Sequence, residues 1–391
     1  MARIILLSGK GGVGKTTIAA ATGLAAARRG SRTLVMSFDL AHSLSDSVSP
    51  NRELFDLNAG LPWTVAENLD IQEIDVQEEL SRHWAEVYEF ANLFMSAAGL
   101  DDVVAEELAI IPGMEDIVAL LYLNKYVQKD TYDVIVVDCP PTTEALRFVS
   151  MTTTLKWYAA KRLKLDRNIL KVARPLLKKI TPEAVPEDNY FETILRLTAA
   201  LDGIDALLLD PRTTSVRLVT NAERMVVRET QRAYMYFNMY GIVTDRVIVN
   251  RLMPESGQFL SHWADIQKGY VSEIRSYFDP VPICSVPLLP NEVVGLEALG
   301  SVADIVYADA DPAAVCVDTR PYRFHKDGSA YRLQLRMPFV DKNDIDLVRQ
   351  GENLIVRVGA FKRFVGLPRA VLSQQVASAR MEGADLIVQF S

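Results

Sequence analysis

The feature that most constrains this chain is a glycine-rich loop near the amino terminus. Residues 9–16 read Gly-Lys-Gly-Gly-Val-Gly-Lys-Thr, which satisfies the pattern G-x-x-x-x-G-K-[ST]. The apolar residues 3–8 predict a buried strand before the loop, and residues 17–29 predict a helix that stops at Gly30. A second apolar run at 33–38 predicts another strand. This strand–loop–helix–strand order implies parallel pairing.

The residue types of the loop suit the phosphates of a nucleotide. Glycines let backbone N–H groups close around phosphate oxygens, and the following helix adds the positive end of its dipole. Lys15 can reach the β- and γ-phosphates, and the hydroxyl of Thr16 can ligate Mg²⁺. A further apolar run at 134–137 leads into Asp138, which fits a Walker B carboxylate that holds Mg²⁺ directly or through water. The alternative is that Asp138 caps the turn before Pro140.

We therefore predict that the chain binds ATP and Mg²⁺. The residues assigned to this site from the loop and the Walker B strand are Gly9, Lys10, Gly11, Gly12, Val13, Gly14, Lys15, Thr16, Thr17 and Asp138.

The remaining apolar runs predict the fold class. Strands are expected at 216–220, 246–249 and 282–286, and the helices between them make this a mostly parallel sheet covered on both faces, an α/β fold. The last stretch changes period, because apolar and polar residues alternate between 331 and 336 and between 354 and 359. Short alternating runs separated by turn residues predict a small all-β sandwich.

A step in charge marks the boundary between these two parts. The 391 residues contain 42 Lys+Arg and 50 Asp+Glu, a net charge of −8. Residues 318–391 hold 12 Lys+Arg and 8 Asp+Glu, so this part is at +4 and the rest at −12. We predict an ATPase domain at 1–312, with helical insertions at about 78–128 and 152–210, and a second domain at 318–391.

Composition excludes several other classes. No apolar run approaches the roughly 18 residues that span a bilayer, and the run at 4–7 is too short for a signal peptide. Cys139, Cys284 and Cys316 are far apart, which argues against a disulfide framework or an intrachain zinc site. We expect a reducing, cytoplasmic location. No nucleic-acid partner is expected, because the ATPase part is net acidic and lacks a recognised binding module.

Lys10, a second lysine near the start of the loop, indicates a subgroup of the P-loop ATPases. Lys-Gly-Gly-Val-Gly-Lys-Thr at 10–16 resembles the deviant Walker A ATPases of the SIMIBI type, which function as nucleotide-sandwich dimers. The resemblance implies a homodimer in which Lys10 reaches the phosphates of the partner subunit and takes part in catalysis with Lys15. The alternative is that Lys10 is a solvated loop lysine.

The next motif narrows the resemblance. Residues 38–46, Phe-Asp-Leu-Ala-His-Ser-Leu-Ser-Asp, are similar to the switch segment of the arsenite-translocating and guided-entry (tail-anchored protein targeting) ATPase family, with Leu40 in place of the family's proline. Residues 111–116 resemble another segment of that family. The resemblance implies that Asp39 orients or deprotonates the attacking water. Alternatively, Asp39 is only a helix N-cap.

Two further segments resemble the adenine-contacting parts of the same family. They are Val-Ile-Val-Asn-Arg, which ends at Arg251, and Val-Pro-Leu-Leu-Pro-Asn-Glu at 286–292. The resemblance implies that Asn250, Pro287 and Leu288 contact the base.

The chain also departs from the family. The segment after Asp138, Cys-Pro-Pro-Thr-Thr-Glu-Ala, lacks the glycine and histidine of the family switch, which questions its conformational coupling. Residues 251–269 contain no cysteine, so no zinc shared across a dimer is expected. The three scattered cysteines do not match the thiol cluster by which arsenite-pump ATPases bind metalloid. A single ATPase half implies a homodimer.

The insertions and the second domain suggest a partner. In the targeting family the inserted helices form an apolar groove for a client transmembrane segment. The residues that could serve here are Trp84, Phe90, Phe94, Met95, Leu155, Trp157, Leu176 and Leu177. Alternatively, these apolar residues form an ordinary hydrophobic core. The basic residues of 152–187 either bind anionic lipid headgroups at a membrane or form a solvated face. Residues from about 320 to 391 resemble the α-crystallin domain of small heat-shock proteins, which implies client contact or docking on the ATPase domain.

Three functions remain open. The first is a homodimeric, Mg²⁺-dependent ATPase that opens and closes a groove for hydrophobic polypeptides such as tail-anchored membrane proteins. The second is an ATPase that energises arsenite or anion efflux. The third is a nucleotide-responsive holdase with weak turnover.

Overall fold

The structure is a computed structural model of the chain. It describes residues 2–38, 43–49, 58–75, 114–142, 144–145, 195–196, 199–254, 258–328 and 330–391.

An eight-stranded sheet forms the first part of the molecule. Its strands are β1 (Arg3–Ser8), β2 (Thr33–Ser37), β3 (Trp63–Ala66), β4 (Leu69–Glu73), β5 (Val134–Asp138), β6 (Thr214–Asn221), β7 (Thr244–Leu252) and β8 (Ile283–Pro287). They lie in the order β3-β4-β2-β5-β1-β6-β7-β8, and all pairs are parallel except the edge pair β3–β4. The strand that leads into the glycine-rich loop is therefore central, flanked by β5 and β6.

Helices cover both faces of this sheet. The helices in the described residues are α1 (Lys15–Ala27), α2 (Ser43–Val48), α3 (Met114–Gln128), α4 (Ile204–Leu209), α5 (Arg224–Tyr240), α6 (Gln258–Phe278) and α7 (Gly295–Tyr307). The alternation of β1 shows the two sides, since Ile5 and Leu7 pack with α1, α2 and α7, whereas Ile4 and Leu6 pack with α3, α5 and α6. Burial on both faces explains why the strands read as continuous apolar runs.

The carboxy-terminal part is a sandwich of two antiparallel sheets. Its strands are β9 (Tyr322–Asp327), β10 (Ala330–Arg336), β11 (Ile345–Gln350), β12 (Asn353–Val358), β13 (Phe361–Gly366), β14 (Val376–Glu382) and β15 (Asp385–Phe390). One sheet has the order β14-β15-β10-β9 and the other β11-β12-β13. Alternate residues such as Leu333, Leu335, Leu354 and Val356 are fully buried between the sheets.

Aromatic side chains join the sandwich to the helices of the sheet. The ring centroid of Phe339 lies 6.3 Å from that of Tyr234 on α5 and 5.9 Å from that of Tyr277 on α6. Tyr236 of α5 packs against Phe361 at 3.9 Å between centroids. These contacts make the apolar core of the sandwich continuous with the core on the α5 and α6 side of the sheet.

The architecture confirms the predicted fold class of a mostly parallel α/β sheet followed by an all-β sandwich. Several bounds differ: α1 begins two residues earlier than predicted, because the loop's Lys15 and Thr16 already have helical geometry. The last part of the predicted first insertion, residues 114–128, forms α3. Its Val118, Ala119 and Leu123 are buried against the sheet, so this helix is part of the sheet domain's core.

The predicted groove residues and the basic segment 152–187 lie outside the described residues. Within the described residues, no helix is long and apolar enough to cross a membrane.

Candidate nucleotide-binding site

The glycine-rich loop runs from the end of β1 into the first turn of α1. Gly14 has φ +94, a left-handed conformation that glycine adopts without strain, and it precedes the helix directly. Lys15 is only 7% exposed, and its Nζ donates a hydrogen bond of 3.4 Å to the carbonyl oxygen of Lys10. The loop therefore curls over the lysine, whose charge lies at the positive end of the helix.

Thr16 and Asp138 meet beside this lysine. The strand register places Asp138, at the carboxyl end of β5, next to Leu7 of β1 on one side and Ser37 of β2 on the other. Thr16 Oγ1 donates a hydrogen bond of 2.7 Å to Asp138 Oδ2, and the carboxylate is buried. The structure thus brings together the hydroxyl and the carboxylate that the sequence assigns to the metal.

These two groups suit Mg²⁺. A hydroxyl and a carboxylate are hard oxygen donors, which Mg²⁺ prefers, and it keeps the remainder of its octahedral shell for water and phosphate oxygens. No cluster of three or more His, Cys, Asp or Glu side chains that could hold a metal occurs among the described residues. Mg²⁺ sites of nucleotide-binding proteins use one or two protein oxygens together with phosphate oxygens, and the pair of Thr16 and Asp138 fits that arrangement.

A chain of contacts connects Thr16 to the helix α2. The hydroxyl oxygens of Thr16 and Ser43, the first residue of α2, are 3.3 Å apart. Glu73, at the carboxyl end of β4, accepts hydrogen bonds of 3.0 Å from the backbone N–H groups of Leu44 and Ser45 through Oε1. Its buried carboxylate caps the start of α2 and holds that helix beside the phosphate loop.

Glu73 is not among the site residues predicted from the sequence. The residue lies at the carboxyl end of a parallel strand, which is where ligand-binding residues gather in such sheets. That position could have indicated it, but β4 itself was not predicted.

Asn250 supports the loop from the other side. Its Nδ2 donates a hydrogen bond of 2.8 Å to the carbonyl oxygen of Val13, and its own carbonyl accepts one of 3.1 Å from Asn221 Nδ2. A Cβ on Gly14 would collide with this Nδ2. Asn250 thus braces the loop, a role that the sequence did not predict for it.

A cavity of about 310 Å³ opens next to Asn250. Four of the residues predicted to contact the nucleotide line it: Thr17, Asn250, Pro287 and Leu288. Arg251, which sequence reasoning left without a role, also lines it and donates a hydrogen bond of 2.9 Å from Nη1 to the carbonyl oxygen of Gly12. The cavity lies beside the amino-terminal turn of α1, which contributes Thr17 and Ile18 to its lining.

Cys139 follows Asp138 but offers no reactive thiol. Burial raises the pKa of the Cys139 thiol well above its usual range, and the neighbouring Asp138 carboxylate raises it further. Asp39, the predicted water-positioning residue, lies outside the described residues.

The fold and the loop define a P-loop nucleotide-binding protein with a β-sandwich appended. Comparison with known proteins gives the family. The profile of the anion-transporting (ArsA-type) ATPases matches residues 2–308, and that of an HSP20-like domain found in ArsA proteins matches residues 328–390. The chain belongs to the ArsA ATPase family.

Relatives along the full chain agree with this assignment. A protein of Aquifex aeolicus with the provisional name arsenical pump-driving ATPase 1 is 45% identical over 100% of both chains. A Chlorobaculum tepidum protein, provisionally named an arsenical pump-driving ATPase, is 34% identical over 99% of this chain and 96% of its own. The ATPase get3 of Botryotinia fuckeliana is 27% identical over 80% of this chain and 92% of its own. The chain is an ATP-hydrolysing enzyme.

Proposed function

We propose that this protein is a homodimeric, Mg²⁺-dependent ATPase that couples hydrolysis to opening and closing around a hydrophobic polypeptide. The observation that carries the hydrolytic part is the hydrogen bond of 2.7 Å between Thr16 and Asp138 beside the buried Lys15. The resemblance of residues 38–46 to the switch segment of the targeting ATPases supports the polypeptide client, and the similarity to the ATPase get3 agrees with that resemblance.

Each loop residue has a distinct task in this proposal. The backbone N–H groups of the loop and the ammonium of Lys15 bind the phosphates and stabilise the charge of the transition state. Thr16 and Asp138 would hold Mg²⁺, and the ion would neutralise part of the negative charge on the phosphates. Asp39 positions the attacking water. The cavity lined by Asn250, Pro287 and Leu288 takes the adenine.

The contact between Thr16 and Ser43 supports the coupling to conformation. Residues 39–42 connect β2 to α2, and α2 is fixed at its first turn by Glu73. A change at the γ-phosphate therefore has a short path through Thr16 and Ser43 to α2. In this proposal α2 is the element that reports the nucleotide state.

The dimer would place Lys10 at the phosphates of the opposite subunit. Gly11 and Gly12 at the tip of the loop are exposed, so this side of the site is accessible to another chain. The client would bind the predicted apolar groove of Trp84, Phe90, Phe94, Met95, Leu155, Trp157, Leu176 and Leu177. A transient membrane contact is part of the same proposal, and we place the protein in the cytoplasm.

Capture of clients tests the proposal. The Asp39→Asn variant is expected to bind MgATP without hydrolysing it and so to retain its client during purification from its own cells. Polypeptides with a terminal transmembrane segment should then be identified by mass spectrometry, and a Lys15→Ala variant should capture none. An empty Asp39→Asn protein would contradict the client proposal. Protection of a client by a variant without turnover would favour the holdase function.

Small-angle scattering tests the dimer. Wild-type protein is expected to compact when a non-hydrolysed ATP analogue is added, and Lys10→Ala should reduce that compaction. A matched control is Lys129→Ala, which removes an exposed lysine just after α3, outside the loop and the cavity. Identical profiles of wild type and Lys10→Ala with the analogue would refute the bridge.

The names of the relatives favour a second candidate, an ATPase that energises export of arsenicals. It predicts that arsenite stimulates ATP turnover and that replacing the cysteines abolishes the stimulation. Turnover that is unchanged by arsenite would exclude this candidate without affecting the first.

A further inference from the structure

A second cavity lies where the β-sandwich meets the sheet domain, and we call it the seam cavity. It has a volume of about 240 Å³. Its lining consists of Tyr234, Asn238, Val243, Thr244, Pro280, Val281, Val317, Thr319, Arg320, Pro321, Arg323, Gln334, Arg336 and Asp385. These residues come from both domains and from the segment that connects them.

The seam cavity is separate from the nucleotide site. α5 begins three residues after Asn221, which supports the phosphate loop through Asn250, whereas Asn238 lies in the last turn of the same helix. A helix of 17 residues is roughly 25 Å long, and the linings of the two cavities have no residue in common.

Three arginines give the seam cavity a positive charge. Strand pairing sets Arg323 opposite Gln334 and Arg336 opposite Asp385, so these four side chains share one face of the sheet. Asp385 accepts a hydrogen bond of 2.7 Å from Gln334 Nε2. The guanidinium groups of Arg320, Arg323 and Arg336 form no ion pair or side-chain hydrogen bond with any residue that the structure describes.

The inner wall has polar atoms that lack partners. Asn238 and Thr244 are each 3% exposed, and neither Asn238 Nδ2 nor Thr244 Oγ1 has a hydrogen-bond partner within the described part of the chain. Buried groups of this kind destabilise a fold unless something else satisfies them. Both residues line the seam cavity, so a ligand there can supply the missing partners.

The rest of the wall is apolar, with Tyr234, Val243, Pro280, Val281 and Val317 among the lining residues. The volume of about 240 Å³ lies below the roughly 300–1,000 Å³ of pockets that take drug-sized ligands, so the site suits a small molecule. We propose that the seam cavity binds a small organic anion, a phosphate monoester or a carboxylate with a short apolar body. The arginines and Asn238 receive the anionic head, and the apolar wall covers the body.

Such a ligand would stabilise the contact between the two domains, because it touches both of them and the connecting segment. A ligand that binds only the folded protein raises its unfolding temperature, by about 3 °C for a chain of this length at a concentration 100 times the dissociation constant.

Calorimetric titration tests this site in the whole 391-residue chain, with Mg²⁺ and a non-hydrolysed ATP analogue saturating the nucleotide site so that all phosphate positions of the loop are filled. The probes are phenyl phosphate, benzoate and the neutral benzamide. We expect at least one of the two anions to bind with a stoichiometry of one per chain, and benzamide to bind at least tenfold more weakly. Which anion binds more tightly identifies the head group. Equal binding of benzamide, or no binding of either anion, would overturn the proposal.

Variants locate the binding. Arg336→Gln and Arg320→Gln should each weaken the bound anion roughly tenfold or more, since each removes a charge-assisted hydrogen bond. Arg357→Gln, an exposed arginine of the sandwich outside the cavity, should leave the affinity unchanged. Asn238→Leu should abolish the anion-dependent rise in unfolding temperature without lowering that of the ligand-free protein. Equal effects of Arg336→Gln and Arg357→Gln would place the anion elsewhere and refute the site.

Discussion

Asp245 lies at the centre of a buried network that holds the phosphate-loop strand to its neighbours. Its carboxylate accepts hydrogen bonds of 2.9 Å from Arg3 Nη2 on β1, 3.1 Å from Arg217 Nε on β6 and 2.8 Å from Ser215 Oγ. The Asp245 and Arg217 side chains are fully buried, and that of Arg3 is 7% exposed. One carboxylate therefore compensates two guanidinium groups that have no access to bulk water.

The Asp245→Asn substitution keeps the shape of this residue but removes the charge. Breaking a buried ion pair by neutralising one partner costs about 3–5 kcal/mol, because the other charge stays buried without compensation. Two arginines depend on Asp245, so the upper part of that range is expected. A folded protein of this kind has a total stability of about 5–15 kcal/mol, so this single change removes a third or more of it.

Urea denaturation followed by tryptophan fluorescence measures the effect. The matched control is Asp133→Asn, which breaks the pair of Arg32 and Asp133 at 2.7 Å, with both side chains about half exposed. Exposed pairs contribute little, since solvent screens them, so the control midpoint should stay close to that of the wild type. Equal shifts for the two variants would refute the argument that burial gives the Asp245 network its energy.

Three further changes test other parts of the structure. Gly14→Ala should weaken ADP binding in calorimetry, because its Cβ would collide with Asn250 Nδ2 at a positive φ, whereas Gly30→Ala, also at positive φ but in open space, should not. Glu73→Gln weakens the cap of α2 and should slow ATP turnover about tenfold with ADP affinity unchanged; unchanged turnover would remove the residue from the coupling path. Cys139, with its raised pKa and full burial, should react with iodoacetamide far more slowly than the other two cysteines, as peptide mass spectrometry can check.

Much of the fold could be predicted from local patterns. The strands at the centre of the sheet are apolar on both faces, so their sequences are unmistakable, and the loop of residues 9–16 fixes which strand precedes the phosphates. Strand ends were less predictable, because pairing rather than composition decides them. β7, for example, extends from Thr244 to Leu252, well beyond the predicted apolar run.

The two strands at one edge of the sheet, β3 and β4, could not be predicted from apolar runs. β3 and β4 form a hairpin whose residues alternate between apolar and polar, and Asn68 turns it with φ +59. The sequence patterns did not predict that hairpin, and no role was assigned to Glu73. Only the sheet order puts it beside α2 and makes it a capping group.

The seam cavity depends on tertiary structure alone. Asn238, Arg320 and Asp385 are separated by scores of residues along the chain, and nothing in their local sequence relates them. The packing of the sandwich on α5 and α6 brings them together. Sequence periodicity predicts helices and strands, but it does not predict how distant segments pack.

The central claim is that Thr16, Lys15 and Asp138 form the hydrolytic site, and steady-state ATP turnover of Asp138→Asn tests it most directly. The control is Asp133→Asn, just before the same strand. We predict that Asp138→Asn loses at least about 100-fold in turnover at saturating MgATP while ADP still binds within about tenfold of wild type, and that Asp133→Asn retains normal turnover. Wild-type turnover by Asp138→Asn would contradict the account and leave Asp138 as the cap of a turn.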